Sequence, residues 1–195
     1  MTVRPPQNSV RPKSLEEWRA WLTEHHGRGE GVWLITYKKG SQHPRLEYEE
    51  AVTEAICFGW IDSKPRKVDD ARSMLWYAPR KAGSGWSRLN KDRVARAIST
   101  RRMTAAGLAR VNEAKKDGSW AALDAVENLE IPKDLAKSFT KHKPAAKMFD
   151  AFPRSVKRSI LEWIGNAKTA PTRAKRVEET TSLAAKNVRA NQWRT

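Results

Sequence analysis

The chain has 195 residues, a net charge of +16 and one cysteine, a size that suits one domain or one domain with a helical appendage. A single cysteine excludes an internal disulfide and a four-cysteine metal site. No apolar run approaches the roughly 20 residues of a membrane span, and the first residues lack the apolar segment of a signal peptide. We therefore expect a cytoplasmic protein without membrane insertion.

The positive charge is unevenly distributed along the sequence. Residues 1–60 are neutral, whereas residues 61–102 carry +8 and residues 103–195 carry another +8. A concentration of this kind attracts anions. The alternative is a solvated basic surface that has no specific partner.

The first elements can be predicted from capping and side-chain patterns. Residues 1–13 are predicted to be a disordered tail. Ser14 begins a helix, because the Ser-Leu-Glu-Glu sequence is a capping box. Residues 32–38, VWLITYK, are rich in β-branched and aromatic side chains and are predicted to form a strand. A helix is predicted over residues 48–58.

Two further strands are predicted over residues 61–68 and 73–78. The short polar loop between them favours antiparallel pairing, and Pro65 must then lie at an edge or a bulge. Together with residues 32–38 they would form a small antiparallel sheet of about three strands, covered by helices on one face. Asn90, after the Gly-Ser-Gly turn, is predicted to be the N-cap of the next helix.

The pattern breaks at residues 129–132, beyond which only helices are predicted. The fold class is thus α+β: an α+β domain over residues 14–128, followed by an all-helical C-terminal region over residues 133–195.

Tryptophans and basic side chains alternate through residues 59–93, and such a mixture is typical of sites for flat or phosphorylated anions. The predicted ligand-binding residues of this stretch are Trp60, Asp62, Arg66, Trp76, Arg80, Lys81, Ser84, Trp86, Ser87 and Asn90.

Three of these residues receive specific roles. Arg80 could bind a phosphate or carboxylate with two parallel hydrogen bonds, and Trp86 could stack on a ring of the ligand. Asp62 is the candidate catalytic residue, as a general base or as the group that orients an arginine. The alternatives are a structural ion pair with a neighbour such as Arg80, or a cap that accepts from backbone amides. The alternative for Trp86 is a place in the core, with Ser87 or Asn90 merely capping the helix.

Arg173 and Arg176 are three residues apart and therefore share a helix face. They are predicted to complete a binding cleft between the two halves of the chain, or else to form a solvated face. The four histidines lack metal-ligand spacing. We expect neither a metal nor another cofactor.

Four motifs carry a family resemblance: FGWIDS at residues 58–63, APR at 78–80, SGWSRLN at 84–90 and AKTAPTRAKR at 167–176. In this order and spacing they resemble the YdeI/OmpD-associated, or bacteriocin-protection, family. The resemblance implies a role in stress or bacteriocin protection and brings no catalytic residues with it.

Three hypotheses of function follow. The first is a non-catalytic protection factor that binds an anionic small molecule or a protein partner through a basic cleft rich in Trp and Arg. The second is a protein that binds nucleotides or nucleic acid. The third is an enzyme that uses Asp62 and Arg80 on an anionic substrate.

Overall fold

The computed structural model describes residues 4–142 and 144–192, and the chain divides into two compact units, Met1–Ala122 and Leu123–Thr195. The division falls ahead of the break predicted at residues 129–132. The N-terminal unit combines a sheet with helices and the C-terminal unit is helical, which confirms the predicted α+β class.

The N-terminal unit contains four strands and four helices among its described residues. In chain order they are β1 (Ser9–Val10), α1 (Leu15–His25), β2 (Val32–Tyr37), α2 (Tyr48–Cys57), β3 (Trp60–Lys67), β4 (Arg72–Pro79), α3 (Arg88–Ser99) and α4 (Ala105–Asp117).

The sheet has the strand order β1-β2-β4-β3, with β1 parallel to β2 and the other neighbours antiparallel. The sheet therefore has one strand more than the predicted antiparallel sheet of about three strands, and the added strand is parallel. Ser9 and Val10 lie within the predicted tail, yet they pair with Trp33 and Leu34. The antiparallel hairpin of β3 and β4 is confirmed, and Pro65 lies on the edge strand beside a break in register, as expected.

Capping side chains set the helix starts. The Ser14 side chain accepts from the Glu17 amide, and Glu17 in turn accepts from the amide of Lys13. Asn90 was predicted to cap α3, and this was wrong. Ser87 is the N-cap and accepts from the Asn90 amide, because the chain enters the helix three residues earlier.

One face of the sheet builds the core of the N-terminal unit. Leu34 and Tyr77 on this face pack with Trp18 of α1 and with Val52 of α2. The Trp18 indole also donates to the backbone oxygen of Ala51, which ties the first two helices together beneath the sheet.

The helix α4 approaches the end of α2 closely at Gly107. A Cβ at this position would lie 2.8 Å from the carbonyl carbon of Cys57, whose oxygen also accepts from the Thr104 hydroxyl. We expect Gly107→Ala to lower the free energy of unfolding by about 1–3 kcal/mol, because backbone must move to admit a methyl group. Urea unfolding measures this. The control is Gly165→Ala, at the end of a helix with no atom within 4 Å, where equal destabilisation would contradict the explanation.

The C-terminal unit has its own hydrophobic core, which includes Leu135, Phe149, Ile160, Ile164 and Val177. Its helices confirm the all-helical prediction for this region. They are α5 (Asp124–Glu127), α6 (Lys133–Lys141), α7 (Ala145–Asp150), α8 (Arg154–Gly165) and α9 (Ala170–Ala184).

None of the helices in residues 4–142 and 144–192 combines the length and the apolar character that a bilayer span requires.

Candidate functional site

A large cavity lies on the core face of the sheet, between its strands and the start of α2. It has a volume of about 520 Å³, which falls within the range usual for small-molecule sites, about 300–1,000 Å³. We call it the Asp62 cavity. Its lining residues come from β2, β3 and β4, from the segment 38–46 and from the start of α2.

Apolar side chains form the floor of the Asp62 cavity. Leu34 and Leu75 are paired in register on β2 and β4, and Tyr77 is the next residue of β4 on the same face. Leu46, which is buried, contributes from the connection between β2 and α2. Such a surface suits the apolar body of a ligand.

A carboxylate and a phenol provide the polar part of this cavity. The Tyr48 hydroxyl donates to Oδ2 of Asp62 at 3.0 Å. Burial and the neighbouring Asp62 charge raise the pKa of Tyr48, so the phenol keeps its proton at neutral pH. Tyr77 lies in register with Asp62, and burial raises its pKa as well.

Three cationic side chains also line the Asp62 cavity. Lys38 donates to the backbone oxygens of Asp69 and Asp70, and Arg45 is paired with Glu47. Lys39 is exposed. With Asp62 and the Glu47 partner of Arg45 set against these three cations, the cavity keeps a small positive balance that favours an anion.

The segment between β2 and α2 separates the Asp62 cavity from a second cavity of about 160 Å³. Thr36, Tyr37, Arg45 and Leu46 line both. The ring of His43 stacks on Tyr37 at 4.4 Å and holds this segment against the sheet. None of the binding residues predicted from the sequence lies in this segment.

Arg80 and Trp86 pack against each other in the interior. Arg80 is 6% exposed and Trp86 is 2% exposed. The guanidinium lies 3.8 Å from the centre of the indole and donates to the backbone oxygens of Ser84 and Gly85. Burial lowers the pKa of Arg80 to about 10, so the group remains charged at neutral pH. Both side chains therefore have partners within the fold, which favours the core alternative for Trp86.

The predicted ligand-binding residues of the stretch 59–93 do not come together in one site. Asp62 lines the large cavity, while Arg80 and Lys81 line a separate void of about 10 Å³. Trp60 is buried, and its indole donates to the backbone oxygen of His26. The pair between Asp62 and Arg80 that was the structural alternative is replaced by the Tyr48–Asp62 hydrogen bond.

The other predicted residues of that stretch occupy the sheet's second face and the turn before α3. Arg66 and Trp76 lie on the face opposite the main core. Ser84 supplies a carbonyl to Arg80, Ser87 caps α3, and the Asn90 side chain accepts from Arg93.

Arg173 and Arg176, in the C-terminal unit, do not line one common pocket there. Arg173 is ion-paired with Asp134 and lines a groove of about 440 Å³. Arg176 donates to the backbone oxygen of Trp163, stacks over that ring at 5.0 Å, and lines another groove of about 280 Å³.

Asp62 was predicted as a site residue from the sequence, whereas Tyr48, Lys39 and Arg45 of the same cavity were not. The concentration of charge after residue 60 directed attention away from them. The signal that could have found them is the ten-residue connection between β2 and α2, which combines three cations with an apolar Leu46.

Comparison with known proteins gives two family matches. Residues 10–110 match a domain of unknown function, DUF8412, and residues 128–187 match the family described as Bacteriocin-protection, YdeI or OmpD-Associated. No curated protein and no solved structure matches the chain.

The second match contains the AKTAPTRAKR motif, whereas the three earlier motifs lie in the segment with the first match. The chain therefore belongs to the domain-of-unknown-function family that covers more than half of it, and its C-terminal part is the bacteriocin-protection, YdeI or OmpD-associated domain that the resemblance predicted.

Proposed function

We propose that the N-terminal unit binds a small organic anion in the Asp62 cavity. The observation that carries the proposal is the cavity itself: about 520 Å³ of space over an apolar floor of Leu34, Leu75 and Tyr77. The apolar side chains around this space lack the van der Waals contacts of a packed interior, and a bound apolar group would supply them.

The polar lining indicates what the anion should look like. Its charged group would lie toward Lys39 and Arg45, and a hydrogen-bond donor of the ligand would lie toward the free lone pairs of the Asp62 carboxylate. Nucleotides, aromatic carboxylates and phosphorylated metabolites meet these requirements. The biological context we propose is protection against stress or bacteriocins in the cytoplasm, and the description of the C-terminal family supports the bacteriocin part alone.

A ligand screen tests the proposal, with thermal shift as a first readout and calorimetry for each hit. We expect Ser73→Phe to lower the affinity of a hit at least tenfold, because Ser73 lines the cavity and a ring there would fill it. The matched control is Ser99→Phe, which adds the same ring to an exposed position at the end of α3.

A second variant tests whether a positive charge at the cavity contributes to the affinity for an anion. Lys39→Gln should weaken an anionic hit about two- to five-fold at low salt, the size expected for an exposed charge, and high salt should remove the difference. Lys116→Gln, on the exposed side of α4, should leave affinity unchanged. If no member of the panel binds with saturation, or if Ser73→Phe leaves affinity unaltered, the cavity is a packing void and the proposal fails.

Asp62→Asn separates binding from catalysis, since the asparagine can still accept from Tyr48. A binding site would change its affinity for the ligand. An enzyme that used Asp62 as a base would retain affinity and lose turnover, which would favour the third hypothesis.

A further inference from the structure

The second face of the sheet has features that the Asp62 cavity does not use. Along β2 and β4, alternate side chains point away from the main core and form a small separate cluster around Ile35 and Met74. Trp33 packs against this cluster, and Trp76 lies directly across from Trp33. We call this surface the Trp33/Trp76 face.

The two tryptophans of this face are held in fixed positions. Their ring centres are 5.2 Å apart with an interplanar angle of 65°. Trp76 is also backed by Gly31, where a Cβ would lie 2.5 Å from the indole ring. Both rings are half-buried, so that part of each remains open to solvent. Fixed, partly open rings lose little conformational entropy when a flat group packs on them.

The edge strand β3, next to β4, carries three basic side chains, of which Lys67 is in register with Ser73 on the cavity face. Lys64, Arg66 and Lys67 are all exposed, and Lys67 is paired with Asp70. Arg66 is in register with Met74 and so projects from the same face as Trp76. As diagonal neighbours across two strands, Arg66 and Trp76 are separated by roughly 7–8 Å between their Cα atoms.

The acidic side chains of the turn between β3 and β4 already have partners within the fold. Asp69 is paired with Arg72 and accepts from the amides of its own turn, while Asp70 holds Lys67. In the described residues no ion pair involves Lys64 or Arg66. The stretch 61–102, to which both belong, carries a net charge of +8.

We propose that the Trp33/Trp76 face binds single-stranded nucleic acid. Its bases pack on Trp76 and Trp33, and its phosphates contact Arg66 and Lys64. Aromatic rings interleaved with cations on a sheet are how proteins bind unpaired strands without sequence preference, because every base offers a ring to stack on. A duplex keeps the faces of its bases stacked inside, so they are not available to pack on these rings.

The test is fluorescence anisotropy of a labelled oligothymidylate of about 15 nucleotides, against a duplex of the same length and over a range of salt concentrations. We expect the single strand to bind more tightly than the duplex and to quench tryptophan emission. Arg66→Gln should lower the affinity and reduce the steepness of its salt dependence. Trp76→Leu, which keeps an apolar side chain over Gly31, should weaken binding at least about fivefold.

Two controls keep the outcome decisive. Arg96→Gln removes an exposed arginine from α3, and Ser73→Phe alters the Asp62 cavity on the other face; both should bind the oligonucleotide normally. The proposal is overturned if no binding occurs at low salt, if the duplex binds equally well, or if Arg96→Gln matches Arg66→Gln. Circular dichroism checks that each variant is folded.

Discussion

Replacing Trp86 with alanine should reduce the free energy of unfolding by about 3–5 kcal/mol, the usual cost of truncating a buried tryptophan. The indole is 2% exposed, and its ring lies 5.1 Å from that of Trp120. Its backbone amide donates to Ser119, so the residue also joins the start of α3 to the end of α4. Denaturant unfolding followed by circular dichroism measures the loss.

The contact with Arg80 should account for part of that loss. A guanidinium removed from water over an indole face is stabilised by about 2 kcal/mol, and a double-mutant cycle of Trp86→Ala with Arg80→Ala isolates this coupling. Should Trp86→Ala leave stability intact while abolishing ligand binding, the ligand-stacking role predicted from the sequence would be correct and the core role wrong.

Replacing Glu54 with alanine should be almost as damaging, with a loss of about 3 kcal/mol, the lower end of the range for breaking a buried ion pair. Its carboxylate is 1% exposed and accepts from both Arg19 of α1 and Arg102, which follows α3. Without it, two guanidinium groups would face each other around a void. The side chains of both arginines are about a third exposed, 32% and 38%, and water relieves part of this repulsion.

A surface ion pair on α4 provides the control for Glu54. Glu113 accepts from Arg110 with both side chains 42% exposed, so Glu113→Ala should cost less than about 1 kcal/mol. Equal effects of the two substitutions would mean that Glu54 does not tie α1, α2 and the connection between α3 and α4 together.

Local patterns predicted the regular elements of this fold well. The capping box at Ser14 and the β-branched sequence of β2 specify their structures within a few residues, because each depends on near neighbours. The sequence Ser9–Val10 has no such signal. It becomes a strand only because β2 offers it an unpaired edge. Asn90 and Ser87 are both good caps, and only the path of the preceding turn selects Ser87.

The candidate site was harder to predict because it depends on separation in space. Trp60, Asp62 and Arg66 occupy alternate positions, so an unbroken strand would place all three on one face of the sheet. The break in register between Asp62 and Pro65 sends Arg66 to the opposite face. The Asp62 cavity instead combines Lys39, Asp62 and Leu75, which come from three different strands or loops. These residues are far apart in sequence, and no local pattern encodes their meeting in space.

The buried thiol of Cys57 provides a chemical probe for the opening of the N-terminal unit. It is the sole cysteine of the chain and lies at the end of α2, fully enclosed, and burial together with the Glu54 charge raises its pKa to about 11. Alkylation requires a thiolate that the reagent can reach. Burial prevents both, so a reagent modifies Cys57 only when this unit opens. The labelling rate of the unmodified protein thus measures how often the unit that contains Cys57 opens.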